Sequence, residues 1–255
     1  MKGNYENRSK TYLMRRTPVV IRLDGKAFHT FTRGMVKPFD KILMETMQET
    51  TLALCDGIMG CVLGYTQSDE ITLVLVDYNT FDTEAWYDYA TQKIVSVAAS
   101  ICTFQFNKIF AKKVNAFVNE HQDAGQPENI IKLIGVYNRA VEKGALFDAR
   151  AFNIPVEEVT NCVLWRQQDA TRNSISTLAQ AHFSPRELHG KNSSQMQDML
   201  MERYGINWNN LSVPEKRGTA VIRDGDGKWF IDKEMPILKG EDRNYVESRI
   251  IFEES

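Results

Sequence analysis

Two carboxylates stand where β-rich runs end, and their placement suggests chemistry. Asp24 follows the apolar run 18–23 and precedes Gly25, while Asp69 lies in a polar Ser-Asp-Glu stretch between two further runs. Carboxylates held close together repel unless cations sit between them, and Mg²⁺ prefers such oxygen ligands together with substrate phosphates. Two such ions stabilise both the attacking and the leaving oxygen of a phosphoryl transfer. The pair leaves two interpretations open: a two-metal phosphotransferase, or an Asp-Gly turn and a polar hairpin tip without catalytic function.

The elements around these acids are expected to form a ferredoxin-like sheet. Apolar runs predict strands at 18–24, 61–65, 71–76 and 145–152, and three- and four-residue spacing predicts helices at about 40–56 and 82–113. This β-α-β-β-α-β order predicts an α+β fold, an antiparallel sheet with helices on one face, on which polymerase palms are also built. Because the first and third strands of such a sheet are neighbours, Asp24 and Asp69 are expected to approach each other.

The rest of the chain is expected to pack against this core. We predict a palm-like catalytic core at 1–152 and a mainly helical C-terminal lobe at 153–255, packed as part of the same domain. Two apolar runs around an Asp-Gly-Asp-Gly turn predict a late hairpin at 218–231. The polar stretch 119–129 is predicted to be a loop, and residues 235–255 are interpreted as a charged tail.

Composition and charge constrain the partners. The 255 residues are 43% hydrophobic and 25% charged, as in an ordinary folded protein. Residues 1–37 hold nine Lys or Arg against two acids, whereas residues 38–90 hold ten acids and one Lys. A basic stretch beside an acidic block fits a protein that binds phosphate in one place and metal cations in another. A solvated N-terminal arm would give the same pattern.

The sequence also predicts a compartment. We expect no apolar run long enough to span a membrane, and the opening MKGNYENRSK lacks a secretory apolar stretch, so a cytoplasmic location without a membrane partner is expected. The cysteines at positions 55, 61, 102 and 162 show neither metal-ligand spacing nor the density of a disulfide scaffold. They are predicted to be reduced core thiols.

Several motifs resemble one enzyme family. Arg-Leu-Asp-Gly-Lys-Ala-Phe-His at 22–29, Lys-Pro-Phe-Asp at 37–40 and Gly-Tyr-Thr-Gln-Ser-Asp-Glu at 64–70 are similar to motifs of the tRNA-histidine guanylyltransferase family. Supporting matches follow in the family's order at 147–150, 165–169, 189–192 and 216–219. The resemblance therefore spans the chain to about residue 223.

This resemblance implies a nucleotidyltransferase that extends tRNA at its 5′ end in the 3′-to-5′ direction. The 5′ end is first activated, by adenylylation or as an existing triphosphate, and the 3′-hydroxyl of an incoming nucleotide then attacks it. By the resemblance, Asp24, the backbone of Gly25, and Asp69 would hold two Mg²⁺ ions, and the family assembles as tetramers. The residues implied to contact the nucleoside triphosphates, with ATP and GTP as substrates, are Asp24, Gly25, Lys26, Ala27, Phe28, His29, Lys37, Asp40, Ser68 and Asp69.

Other residues leave alternatives open. Glu70 is a catalytic candidate, but strict alternation points its side chain to the face opposite Asp69, where it would support a ligand or face solvent. His29 would donate to a phosphate or serve only as a loop residue. The residues proposed to meet RNA phosphate are Arg15, Arg16, Lys191 and Arg217.

The sequence departs from the eukaryotic members at one motif. Where those carry His-Ile-Asn-Asn, this chain reads Thr-Arg-Asn-Ser at 171–174. In this loss of the motif the chain resembles the bacterial, archaeal and phage-type guanylyltransferase-like branch. That branch resembles template-dependent enzymes that repair truncated tRNA 5′ ends, which is the interpretation we prefer. The alternatives are a strict histidine-tRNA guanylyltransferase, a palm-fold nucleotide cyclase or dinucleotide synthase, and a non-catalytic RNA-binding protein.

Overall fold

Six strands form one antiparallel sheet in the computed structural model, which describes residues 1–121 and 126–252. Their order across the sheet is β4-β1-β3-β2-β5-β6, so the first four strands have the predicted ferredoxin-like arrangement. The strands are β1 (Val19–Gly25), β2 (Cys61–Gln67), β3 (Glu70–Leu75), β4 (Phe147–Asn153), β5 (Thr219–Arg223) and β6 (Trp229–Asp232).

Helices account for most of the other described residues. Short 3-10 turns lie at Glu6–Ser9, Trp86–Tyr89, Trp208–Asn210 and Gly240–Arg243. The α-helices are α1 (Phe28–Phe31), α2 (Lys41–Gly57), α3 (Thr91–Glu120), α4 (Glu128–Lys143), α5 (Val156–Gln180), α6 (Pro185–Leu188), α7 (Ser193–Tyr204), α8 (Val213–Arg217) and α9 (Asn244–Ile250).

The strand register fixes which polar side chains share a face. Asp24 on β1 lies opposite Glu70 on β3 and opposite Asp148 on β4. Two residues earlier, Arg22 faces Arg150 across the same β1–β4 pair. Because alternate residues of a strand point to the same side, these charged residues all lie on one face of the sheet.

The first face of the sheet carries α2 and α3. The buried stripe of α3 packs on it, and an aromatic cluster forms where α1, α3 and β4 meet. In that cluster Phe28 contacts Phe31, Phe106 and Phe147 at ring-centre distances of 5.1–5.5 Å. This packing anchors α1, which directly follows the Asp24-Gly25 motif.

The second face is covered by the C-terminal part of the chain. Val159 and Val163 of α5, and Val246 and Ile250 of α9, pack against buried residues of β2, β3 and β5. Helices therefore lie on both faces, those of the ferredoxin-like unit on one and the C-terminal helices on the other. Because β5 and β6 extend the same sheet, residues from the C-terminal part contribute to its core.

Three sequence expectations require correction. The long helix begins at Thr91 rather than near position 82, because Tyr87, Asp88 and Tyr89 have φ of 51–52°, a left-handed conformation that cannot continue a right-handed helix. The interpretation of 235–255 as a charged tail was wrong, because its apolar residues spaced along α9 and before it are buried in the core. The predicted loop at 119–129 is shortened by α3 and α4; residues 122–125 lie outside the described part, as do 253–255.

The membrane expectation also needs qualification. By length and composition α3 passes the test for a membrane-spanning helix, contrary to the expectation that no run is long enough. Its buried stripe, from Ile94 to Val114, packs against the sheet as the core helix of this domain.

The four cysteines are free thiols as predicted, three of them buried and Cys162 half-buried.

The N-terminal arm is fastened to the sheet by a buried acid. Asp77, fully buried just after β3, accepts a hydrogen bond from Arg15 Nε at 2.6 Å and from the Arg16 backbone amide at 2.8 Å. The same guanidinium also reaches Asp88 Oδ1 at 3.2 Å and the Thr83 carbonyl at 3.1 Å. The Arg15 side chain therefore holds the N-terminal arm against the sheet.

Asp77→Asn is expected to lower the free energy of unfolding by about 2 kcal/mol, because a charge-assisted pair is lost and an amide donor is left without an acceptor. Urea unfolding measures the loss. Asp88→Asn is the matched control, since Asp88 contacts the same arginine but is 74% exposed; its effect should stay below about 0.5 kcal/mol. Equal losses in the two variants would contradict the assignment of Asp77 as the anchor.

Candidate active site

The turn between β2 and β3 brings the two predicted metal-binding acids together. Ser68 has φ of 51° in this turn, and its hydroxyl donates to Asp69 Oδ1 at 2.9 Å. Across the β1–β3 pair, the amide of Gly25 donates to the carbonyl of Asp69 at 3.1 Å. The Asp24-Gly25 motif and Asp69 are thus tied together through the backbone, as the sheet order predicted.

The charges at this turn are poorly compensated. Burial raises the pKa of Asp69 above its ordinary value, the Ser68 hydroxyl lowers that pKa in part, and the negative charge of Asp24 raises it further. A carboxylate in this state gains from a nearby cation. The described residues contain no group of three or more His, Cys, Asp or Glu side chains placed to hold a metal. Two carboxylates with the Gly25 carbonyl still suit Mg²⁺, which keeps waters and binds substrate phosphates as further ligands.

The segment after β1 is shaped by close packing. A Cβ atom on Gly25 would lie 2.2 Å from the Phe28 ring, so only glycine fits while that ring stays in the core. The amide of Lys26 donates to the Leu146 carbonyl at 2.8 Å, and Ala27 has a left-handed φ of 54°. This turn sets α1 directly beside the acids. His29, on α1, is exposed, with Nε2 3.0 Å from the Thr30 hydroxyl.

A cleft of about 540 Å³ opens beside the acids. Most of the nucleotide-contacting candidates line it, namely Gly25, Ala27, Phe28, His29, Lys37, Asp40, Ser68 and Asp69. Sequence reasoning missed the opposite wall, where Thr177, Gln180 and Ala181 come from the end of α5. These residues carry no motif and are brought here only by tertiary packing. Asp24 and Lys26 precede and follow Gly25 in the chain but are not part of this lining, and their contact with a nucleotide stays a prediction.

Asp40 shapes the cleft from within. Its Oδ1 caps α2 by accepting the Leu43 amide at 3.0 Å, while Oδ2 accepts the Val36 amide at 3.0 Å and the Tyr137 hydroxyl at 2.8 Å. This buried carboxylate already accepts three hydrogen bonds. The bonds indicate that Asp40 positions the 36–40 loop, whereas direct contact between Asp40 and a nucleotide stays a prediction.

Glu70 is the first member of a series of ion pairs that lies outside the cleft. Its carboxylate pairs with Arg166 Nε at 2.7 Å, and Arg166 Nη2 pairs with Asp169 at 2.6 Å. Asp169 also meets the exposed Arg172 at 2.9 Å. Burial raises the pKa of Glu70, and the positive charge of Arg166 opposes that rise. Glu70 thus points to the face of the sheet that α5 covers and is not part of the cleft lining. A catalytic role for Glu70 stays a prediction.

The four RNA-binding candidates lie apart along the chain. Arg15 is held by Asp77, whereas Arg16 extends from the arm with only its backbone amide bonded to that acid. Lys191 is exposed between α6 and α7, and Arg217 ends α8, where its Nε donates to the Met235 carbonyl at 3.5 Å. RNA contact by these four residues stays a prediction.

A palm-like sheet with two acids joined at its central turn, beside an open cleft, defines a nucleotidyltransferase of the polymerase-palm type. The profile of the tRNA-histidine guanylyltransferase family matches residues 1–155. The chain belongs to the tRNA-histidine guanylyltransferase family.

Known proteins agree with this assignment. A bacterial tRNA(His) guanylyltransferase-like protein in complex with ATP is 40% identical, with a TM-score of 0.84 over 98% of this chain and 97% of that one. One in complex with GTP is 37% identical, with a TM-score of 0.77 over the same shares. A probable tRNA(His) guanylyltransferase of Dictyostelium discoideum is 24% identical over 256 residues, covering 95% of this chain and 88% of that protein.

Asp69→Asn is expected to stabilise the metal-free protein at pH 7. Because the pKa of Asp69 is raised in the folded state, its contribution to stability is present below the ordinary value of 3.8 and is lost as pH rises through the raised value. The variant should therefore be more stable than the wild type at neutral pH, and the difference should vanish in acid. Thermal unfolding in EDTA measures it, with the exposed Asp148→Asn as the control. A less stable variant at pH 7 would contradict the prediction.

Arg166→Met is expected to lower the free energy of unfolding by about 3 kcal/mol, because Glu70 and Asp169 then lose a buried partner. The double variant Arg166→Met with Glu70→Met should recover part of that loss, as measured by urea unfolding. Arg172→Met removes the exposed end of the same chain and should have little effect. A loss in the double variant as large as the sum of the single losses would show that the two residues are not coupled.

Proposed function

We propose that this enzyme is a template-dependent 3′-to-5′ nucleotidyltransferase that adds nucleotides to the 5′ end of truncated tRNA. The observation that carries the proposal is the bond between the Gly25 amide and the Asp69 carbonyl, which joins the two acid-bearing motifs beside the cleft. Acids in this arrangement suit charge stabilisation of a phosphoryl transfer, which needs alignment more than covalent chemistry from the protein.

The chain's own residues would bind and align the reactants. The cleft offers a hydroxyl from Ser68, a cation from Lys37 and the backbone turn at Ala27 to a nucleoside triphosphate. Two Mg²⁺ ions held by Asp24, Asp69 and the Gly25 carbonyl would neutralise phosphate charge. The 3′-hydroxyl oxygen of the incoming nucleotide bonds to the activated 5′ phosphorus, and AMP or pyrophosphate leaves. The relatives with ATP and GTP bound support both nucleotides as substrates.

The segment that departs from the eukaryotic motif has structural contacts here. On α5, the Thr171 hydroxyl donates to the Gln167 carbonyl at 3.0 Å. The Ser174 hydroxyl accepts from the Trp208 indole at 3.0 Å. Two of the four residues thus serve α5 itself and its packing against the Trp208–Asn210 turn, which supports general 5′-end repair over dedicated recognition of histidine tRNA.

The other functions explain fewer observations. A strict histidine-tRNA guanylyltransferase would use the same acids and differs only in substrate choice. A cyclase or dinucleotide synthase leaves the basic residues of 1–37 other than Arg15 without a role. A non-catalytic RNA-binding protein leaves the uncompensated charge of Asp69 unexplained. We further propose a homotetramer located in the cytoplasm, without a membrane partner.

Template dependence is tested with tRNA that lacks its first 5′ nucleotide. Incorporation of labelled nucleotides is measured while the base opposite the missing position is varied through all four identities. We expect the added nucleotide to follow Watson–Crick pairing with that base. Addition of guanosine to histidine tRNA alone, whatever the opposing base, would instead make the protein a dedicated guanylyltransferase.

Asp24→Ala and Asp69→Ala are each expected to reduce incorporation by at least about 10³-fold, because charge stabilisation in the transition state is lost. The fold should persist, since both residues are only half-buried. Asp148→Ala removes an exposed acid from the strand beside Asp24 and is the matched control, with near-normal activity expected. Substantial activity in either of the first two variants would refute the two-metal assignment.

A further inference from the structure

Trp165 is unusually open for a tryptophan beside a core. It lies on α5, is 49% exposed and packs on two arginines. The guanidinium carbon of Arg166 is 4.3 Å from its ring centre, and that of Arg22 is 5.6 Å away. These contacts hold the ring by cation–π attraction while about half of the side chain stays in water.

The C-terminal helices leave the second face of the sheet open to solvent at its β4 edge, next to this tryptophan. Arg150 and Asp148, on β4, have side chains that are 58% and 60% exposed. They face Arg22 and Asp24 across the β1–β4 pair. Trp165 therefore borders an open, charged surface that contains Asp24 itself.

The arginines of this surface have unused bonding capacity. The Nε of Arg22 is buried and has no hydrogen-bond acceptor in the described part of the chain. Arg150 makes a long contact of 3.4 Å with Asp148. Arg150 is the guanidinium of this surface that a ligand can reach, because its side chain is 58% exposed, and a planar guanidinium binds phosphate oxygens well.

We propose that Trp165 is a stacking platform for the terminal base at the 5′ end of the RNA substrate, with Arg150 beside its phosphates. This inference rests on the proposed function. Aromatic rings bind bases through stacking that tolerates any sequence, which suits an enzyme that extends ends of different identity. The free nucleotide has its own place in the cleft, whose lining comes from α1, the 36–40 loop and the far end of α5.

The experiment measures binding of a 5′-phosphorylated RNA hairpin by the full-length protein. Trp165→Ala should weaken RNA binding roughly tenfold, and Trp165→Phe should retain most of the affinity because phenylalanine still stacks. RNA should quench tryptophan fluorescence in the wild type and much less in Trp165→Phe. Phe104→Ala is the matched control, because Phe104 is an aromatic side chain of α3, 63% exposed, with Lys108 5.8 Å from its ring.

A second arm tests the phosphate contact. Arg150→Gln should weaken binding and reduce the slope of log affinity against log salt by about one. ATP affinity should remain unchanged in the Trp165 and Arg150 variants, which also shows that they are folded.

The outcomes distinguish failure of the stacking platform at Trp165 from failure of the proposed function. Equal RNA affinity in Trp165→Ala and wild type would overturn the platform while leaving the proposed function intact. Loss of ATP affinity with unchanged RNA affinity would also overturn it, because the ring would then serve the nucleotide. A wild-type protein that binds no RNA would refute the proposed function itself.

Discussion

The pairing of β1 with β3 is the constraint on which the rest of the structure depends. In this register the Gly25 amide reaches the Asp69 carbonyl, and a slip by one residue would send Asp24 and its neighbours to the opposite face. The buried residues Ile21, Leu23, Ile71 and Leu73 oppose such a slip, because their side chains fill the core under α2 and α3. Core packing thus holds two acids in a position that their own charges oppose.

The helix α5 connects the turn between β2 and β3 with the rest of the domain. Its first half covers the second face of the sheet through Val159 and Val163, and its last residues wall the cleft. Between these parts Arg166 neutralises Glu70, the residue directly after Asp69. One helix therefore contributes to the sheet packing, to the wall of the cleft and to the charge balance behind the acids.

The sequence predicted the ferredoxin-like order because each strand has a clear apolar run, and the nearness of Asp24 and Asp69 followed from that order. It did not predict that β5 and β6 would extend the sheet, since a hairpin carries no mark of the strand edge it joins. The Trp86–Tyr89 turn was not predicted because its residues match the spacing of a helix. Their left-handed backbone conformation is imposed by the fold.

Charge partners were the least predictable part of the site. Arg166 and Glu70 are 96 positions apart in the chain. Arg15 lies in a basic stretch that predicted an RNA contact, but its side chain is held by Asp77. In both cases the partner is a buried acid whose location depends on tertiary packing. The resemblance supplied the nucleotide-binding candidates, and the cleft shows which of them share a wall.

The central claim is that Asp24, Gly25 and Asp69 together hold divalent cations next to a nucleotide. The most direct measurement is the anomalous scattering of Mn²⁺ in crystals grown with a non-hydrolysable GTP analogue. The account predicts two Mn²⁺ peaks coordinated by the carboxylates of Asp24 and Asp69, one of them also by the Gly25 carbonyl. Mn²⁺ bound only to the phosphates, with both carboxylates outside coordination distance, would contradict it.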